Sequence, residues 1–450
     1  MTSTLLDPVD PTLRQRIAGA LGLAGIVLIF SLGLRSPTAM YTGMGLALIG
    51  LALAADRALP VLLREPLFWL VLVLFLWVLL RGWADLATAD ARGMEPDERA
   101  IWHHARFTPL LPLLFAFWVA VYWRHRYLLL LLTGVGSVIY ISNSWDRLHA
   151  GLPGGEREFA SAFGEAGLMA GTILFFTVAV LITLARGAQR LRPATRWTLI
   201  AATAVLALFN LFVFIGAQSR GAWLAMAVTL LLLGAGGAVY LWRRADAAER
   251  RKALIASGVG AVVVVLAIAL SWEVVSNRLA HDHETIEVLL AGDVEPDDIP
   301  RGSFGDRYRM FRQGLIDISE NPVWGVGPAS VRDMLHEIWG KGRVGSGNYH
   351  NTWLNLTVAM GIPWTLLWLG THAWALGRAA RELIRVDGDR IMASCLVGAT
   401  LVSFGALAFQ GARLWSVQGS TLYLVLVTLI CAVLLRSTAR RIREAHPPNP

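Results

Sequence analysis

The apolar positions of this chain fall in long unbroken runs. They do not alternate as in a strand, and they do not recur every three or four residues as on a water-soluble helix. "FWLVLVLFLWVLL" from Phe68 and "GAVVVVLAIAL" from Gly260 are examples. An apolar run of roughly 17 to 25 residues matches a hydrocarbon core of about 30 Å when helical. The pattern predicts twelve such segments, over 16–34, 38–55, 66–83, 107–123, 127–143, 165–185, 197–217, 222–242, 253–272, 352–377, 391–411 and 418–435. A membrane β-barrel would need short segments of alternating polarity instead. The expected fold class is therefore an all-α polytopic membrane protein of about 12 transmembrane helices, with 1–450 as a single membrane domain.

Composition agrees with the pattern. Hydrophobic residues make up 55% of the 450 and charged ones 16%, against about 25% charged in a soluble domain. Cys395 and Cys431, the two cysteines, both lie in apolar runs, which argues against a disulfide framework. The run from Ile17 follows Arg14 and Arg16 without a small-residue cleavage motif, so it reads as an uncleaved first span.

Charge adds sidedness. If the N-terminal side is "in", the in-side stretches hold 23 Lys and Arg against 10 Asp and Glu, a net of +13, while the out-side stretches carry a net of −5. The basic in-side segments include "RGAQRLRPATR", "RRADAAERRK", "RAARELIRVDGDR" and "RSTARRIRE". Basic residues in short loops mark the cytoplasmic side, so both termini are expected in the cytoplasm. The arginines are split among loops beside spans, which argues against a nucleic-acid partner. One out-side segment is long: 273–350, between spans nine and ten, expected as a large periplasmic loop. Two amphipathic helices are expected in it, lying on the outer leaflet or capping the bundle. One presents Tyr308, Phe311, Leu315 and Ile318, the other Val331, Met334, Leu335 and Ile338. The turn-rich "ENPVWGVGP" joins them.

Candidate chemistry gathers on that face. Arg220 sits in the short connection "IGAQSRGAW" beside Gln218, Ser219 and Gly221. It reads either as an interfacial anchor or as an anion contact, since small neighbours leave room for a ligand. "RGSFGDRYRMFR" holds Arg301, Arg307, Arg309 and Arg312. A solvated basic face suits Arg309 and Arg312, whereas Arg307 opens a helix, and its planar fork suits a phosphate. His350 begins span ten, followed by Asn351 and Asn355 one turn apart. An interfacial hydrogen-bonded histidine is the alternative to a functional one. "HDHE" at 281–284 and the pair His103 and His104 fall short of a metal site, which needs more ligands at suitable spacing. No metal and no cofactor are expected, and the chain has no P-loop or plausible dinucleotide motif.

Three of these pieces together resemble the O-antigen ligases of the wider O-antigen ligase/polymerase superfamily. "SRGAWLA" from Ser219 is similar to the family's Ser-Arg-Gly segment at the start of a span. "SFGDRYRMFRQGLIDISENPVWGVGP" from Ser303 resembles its S-x-x-x-R element and N-P-x-x-G-x-G turn. His350-Asn351, nine residues and Gly361 resemble its histidine motif, with Trp364 where the family often has a small residue or tyrosine. The resemblance implies a bacterial inner-membrane glycosyltransferase with its active site facing the periplasm. It would transfer polysaccharide from undecaprenyl diphosphate to lipid A–core oligosaccharide, with inversion and without a metal. Arg220 and Arg307 would hold the diphosphate and His350 would be the general base. Ser219, Gln218, Asn351, Asn355, Arg309 and Arg312 would be possible supporting residues. An O-antigen polymerase or a protein O-oligosaccharyltransferase would use the same donor. A lipid or solute transporter is the reading from another class, disfavoured because the ionisable residues sit at one face and not at the midplane.

The expected sidedness is directly measurable. A cysteine at Asp297 should react with a membrane-impermeant maleimide added from the periplasmic side. Labelling only after the inner membrane is broken would overturn the topology.

Overall fold

The computed structural model describes residues 12–89, 98–106, 108–142, 160–187, 192–217, 219–244, 303–339, 349–409 and 416–445, with a few isolated positions between 247 and 287. Sixteen α-helices form among the described residues. They are α1 (Leu13–Ser31), α2 (Pro37–Leu53), α3 (Ala55–Arg64), α4 (Pro66–Ala89), α5 (Glu98–Arg106), α6 (Leu110–Val121), α7 (Arg126–Ser142), α8 (Ala160–Ala185), α9 (Pro193–Gly216) and α10 (Arg220–Arg244). After these come α11 (Ser303–Glu320), α12 (Val331–Trp339), α13 (Thr352–Met360), α14 (Ile362–Arg385), α15 (Arg390–Phe409) and α16 (Val417–Ala445).

Nine helices, or continuous helical stretches, among the described residues are long and apolar enough to cross a membrane. They coincide with nine of the twelve expected segments. The second expected segment is a pair, α2 and α3, bent by 96°. The ninth, 253–272, lies outside the described residues apart from isolated positions. The tenth, expected as one helix over 352–377, is broken. α13 stops at Gly361, whose φ of +84° a side chain would strain, and α14 restarts with Pro363 in its first turn. A Cβ on Gly361 would stand 2.0 Å from the Val323 carbonyl oxygen.

Small residues let the helices close on one another. A Cβ on Gly25 of α1 would meet the Gly43 carbonyl of α2 at 2.5 Å. α16 is the central post, buried along almost its whole apolar length. One end of the bundle is tied by ion pairs. Fully buried Glu65 receives Arg378 at 2.6 Å and the Thr438 hydroxyl. Asp389 accepts from Arg126 at 2.7 Å and from Tyr127 at 2.9 Å, and Arg436 pairs with Asp387 at 2.7 Å.

The opposite end is organised by the turn 321–330. It supplies the hydrogen bonds that the break at Gly361 would leave unmade. Val326 N–H donates to the Val358 carbonyl (2.8 Å), Gly327 N–H to Ala359 (3.1 Å) and Ile362 N–H to Pro322 (2.8 Å). α4 clamps the turn from its other side. Arg81 donates to the carbonyls of Trp324 and Gly325, both at 2.9 Å. Fully buried Asp85 accepts from Ala329 N–H (2.8 Å), Ser330 N–H (3.0 Å) and the Ser330 hydroxyl (2.6 Å). Trp77 stacks on Trp324 at 5.1 Å. Gly327, at φ +108°, is required here: its Cβ would fall 2.1 Å from Asp85 Cγ.

Asp85→Ala removes the acceptor of three donors in a buried place. A loss on the order of 3 kcal/mol is expected, read as a fall of several degrees in the melting midpoint of the detergent-purified protein. An unchanged midpoint would mean that the turn keeps its place without the carboxylate.

Candidate functional site

Arg220 is the first residue of α10. The link from α9 is short because α10 folds straight back: Ser219 is buried, its carbonyl accepts from Trp223 N–H at 2.9 Å, and the Trp223 indole donates to the Phe214 carbonyl at 3.1 Å. Gly167 of α8 lets this turn in, since a Cβ there would stand 2.9 Å from Ser219 Cβ. Gln218 lies outside the described residues. Five residues below Arg220, Ala225 packs on Gly405 of α15; the indole of Trp353, near the start of α13, donates to the adjacent Phe404 carbonyl at 3.2 Å. The start of α10, where Arg220 sits, and the start of α13, which follows His350, therefore share one end of the bundle.

α11 carries Arg307, Arg309 and Arg312. Arg309 pairs with Asp306 at 3.3 Å, and Arg307 and Arg312 are exposed. The apolar stripe expected to define this helix is turned outward: Tyr308, Phe311 and Leu315 are exposed, and Ile318 is partly buried. The inward face is Met310, Gly314 and Asp317. A hydrogen-bonded carboxylate and a close glycine decide the rotation, not the apolar stripe. A Cβ on Gly314 would meet Leu354 of α13 at 2.7 Å, so α11 and α13 approach at that point. Of the face expected in α12, Val331 and Leu335 are buried and Met334 is partly buried.

His350 is half-buried, and its φ of +50° makes it the one non-glycine residue with positive φ among the described residues. Left-handed backbone costs a non-glycine residue on the order of 1 to 2 kcal/mol and persists where flanking contacts over-determine it. Both flanks are held. Asn351 caps α13, its side chain accepting from Leu354 N–H at 3.0 Å. Tyr349 is 1% exposed and its hydroxyl donates to Asp317 Oδ2; Asp317 Oδ1 accepts from the Gln313 amide at 2.9 Å. Burial, then the hydrogen bond to the Asp317 carboxylate and its charge, push the Tyr349 phenol well above its ordinary pKa, so it stays a donor. Asn355 is fully buried. Its Oδ1 accepts from Tyr349 N–H at 3.4 Å, and its Nδ2 has no partner among the described residues.

Asp85, Arg81, Asp317 and Tyr349 were not singled out from the pattern. A charged residue near the end of an apolar segment was the available signal for Asp85. Nothing local marks Asp317, which lies between Leu315 and Ile318 of the expected stripe. Trp364 finds a packing role: it is buried, stacks on Trp368 and donates to the Leu74 carbonyl at 3.4 Å. No three His, Cys, Asp or Glu side chains group as metal ligands among the described residues. Positions 281–284 lie outside them, and His104 on α5 is buried with Nδ1 2.7 Å from the Ala100 carbonyl.

The family model described as O-antigen ligase matches residues 205–369. The match starts in α9 and ends in α14, so it takes in Arg220, the arginine-bearing α11, the 321–330 turn and His350. No curated protein matches the chain.

Asn351→Ala should lower the melting midpoint by the equivalent of about 1 kcal/mol, the usual cost of a lost N-cap, and Asn351→Ser should restore most of it. Equal melting of all three would assign the side chain some other work.

Proposed function

We propose, from the match of residues 205–369 to the O-antigen ligase family model, that the chain transfers polysaccharide from undecaprenyl diphosphate to lipid A–core oligosaccharide. Its class is the O-antigen ligase/polymerase type, multi-pass membrane proteins that are glycosyltransferase-like and act on lipid-linked glycans. In this reading 1–450 works as one membrane domain in the bacterial inner membrane. Both termini are cytoplasmic, and segment 273–350 and the site face the periplasm. Membrane lipids and the two substrates are the partners, and neither metal nor cofactor takes part.

The reaction is an in-line displacement. The acceptor hydroxyl oxygen attacks the anomeric carbon, a new C–O bond forms and the bond from that carbon to the diphosphate oxygen breaks, with inversion. The electron pair leaves with the diphosphate, a weak base that needs no general acid. Arg220 and Arg307 hold the diphosphate and meet the charge that develops on it. His350 takes the proton of the hydroxyl, a poor nucleophile otherwise. Ser219, Gln218, Arg309 and Arg312 support the anion site, and Asn351 and Asn355 support the histidine.

The observation that carries the reading is the backbone at His350. Left-handed geometry held from both flanks is costly, and such cost is concentrated at functional sites. In support, His350 directly precedes the cap of α13, whose entry is tied to the arginine-bearing α11 through Tyr349 and Asp317.

The test is transfer by the purified chain of a labelled undecaprenyl-diphosphate glycan. His350→Ala is expected to lose on the order of 100-fold or more while still binding donor. Wild-type activity is expected to fall as pH drops and the imidazole is protonated, because only the neutral ring accepts a proton. Arg220→Ala and Arg307→Ala are expected to lose transfer while still inserting, and lysine at either place to restore it only in part, since a point charge lacks the forked contact. EDTA is expected to have no effect. Inhibition by EDTA reversed by a divalent metal, or full activity in His350→Ala, would sink the base assignment. Elongation of a second lipid-linked glycan in place of lipid A–core would make the chain a polymerase.

A further inference from the structure

The link between the histidine and the arginine helix is made by residues that belong to neither the S-x-x-x-R element, the N-P-x-x-G-x-G turn nor the histidine motif: one lies between the first two and the other directly before the third. It runs through Asp317 and Tyr349. We propose that these two are positioning residues, which hold His350 in fixed register with the helix that carries Arg307. The inference rests on the reading of His350 as the base.

The argument begins with cost. A carboxylate 4% exposed on the inward face of a helix is a poor packing choice, since an apolar side chain would fill that place without desolvation. Asp317 is accommodated because both of its oxygens are occupied, Oδ1 by the Gln313 amide at 2.9 Å and Oδ2 by the Tyr349 hydroxyl. Both partners serve one result, a fixed place for the Tyr349 ring. Tyr349 is covalently next to His350, so fixing its ring fixes the peptide that enters the left-handed residue. Asn351 fixes the peptide that leaves it by capping α13. One flank of the histidine is thus tied to α11 and the other to α13. The same two helices are brought together where Gly314 meets Leu354.

The second element is the rod. Arg307 and Asp317 lie on one continuous helix, ten residues apart, which is about 15 Å along the axis. A helix transmits displacement along its length. If α11 shifts, Arg307 and the Tyr349 anchor shift together, so the separation between the diphosphate arginine and the base is kept. Displacement chemistry is sensitive to that separation, because a misplacement of about 1 Å can cost on the order of 100-fold in rate. Neither Asp317 nor Tyr349 is given contact with substrate. The tyrosine hydroxyl is spent on the carboxylate, and its raised pKa keeps it there as a donor.

The experiment compares Tyr349→Phe, Asp317→Asn, Asp317→Ala, the double variant Tyr349→Phe/Asp317→Ala, and His350→Ala. All are full chains purified in detergent and assayed over a range of labelled undecaprenyl-diphosphate glycan. Tyr349→Phe keeps the buried ring and loses only the hydroxyl. It is expected to lower kcat on the order of 10-fold with the donor KM unchanged. Asp317→Asn keeps an acceptor oxygen and is expected to recover much of the activity lost in Asp317→Ala. The double variant is expected to be no worse than the poorer single one, since both remove the same link. If Asp317→Ala does not accumulate, Tyr349→Phe decides alone. Wild-type kcat in Tyr349→Phe, or a rise in donor KM that accounts for its whole loss, overturns the positioning role while leaving His350 as base, provided that His350→Ala is inactive. Full activity in His350→Ala overturns the base assignment and the positioning role with it.

Discussion

Every polar group of the backbone must find a partner where apolar side chains surround it, and the break at Gly361 is where that constraint weighs most. Stopping α13 orphans carbonyls at its end, and restarting α14 orphans amides. The 321–330 turn meets three of those needs with its own backbone, through Val326, Gly327 and the Pro322 carbonyl. In doing so it becomes a structural part of the bundle. Its far side is then closed by Arg81 and Asp85 of α4, a helix more than two hundred residues earlier in the chain. The glycines at 325, 327 and 361 follow from the closeness of the approach: each has positive φ and each faces backbone or carboxylate within 2.6 Å of where a Cβ would be.

That docking sets the geometry of the candidate site. The turn fixes where α11 ends and α12 begins, and the short α13 it caps begins next to His350. Interrupting a helix near one end of a bundle leaves a short segment whose start can be aimed independently of the long helix below it. α14 then runs to the ion-paired end, where Arg378 reaches Glu65 and the 385–390 connection brings Asp387 and Asp389 to Arg436 and Arg126. Buried pairs of this kind add little net stability, because desolvation offsets attraction, but a broken one is costly. They set the vertical register of α4, α7, α14, α15 and α16. The opposite end, with its backbone docking and hydrogen-bonded carboxylates, carries the residues proposed for chemistry.

Much of the fold was legible in the linear pattern, and particular elements show why. Long apolar runs have one physical solution in a bilayer, so nine expected segments return as helices. Gly361 and Pro363 were visible as residues, yet the break they make was not. Glycine and proline are tolerated in apolar helices when a neighbour satisfies the freed groups, and that neighbour, the Pro322 turn, is forty residues away. α11 shows the same limit. Its stripe of Tyr308, Phe311 and Leu315 would face a soluble core, but next to lipid an outward apolar face is equally stable, so periodicity cannot choose the rotation.

The sequence by itself determined what short-range chemistry and composition decide: an all-helical membrane chain and three motifs of arginine, glycine turn and histidine. Only the tertiary structure decided which of these touch. The hydroxyl of Tyr349 on Asp317 and the carboxylate of Asp85 on the 329–330 backbone are pairings across tens to hundreds of residues. Each is a buried polar group that is stable only with its partner present, and no local pattern names that partner.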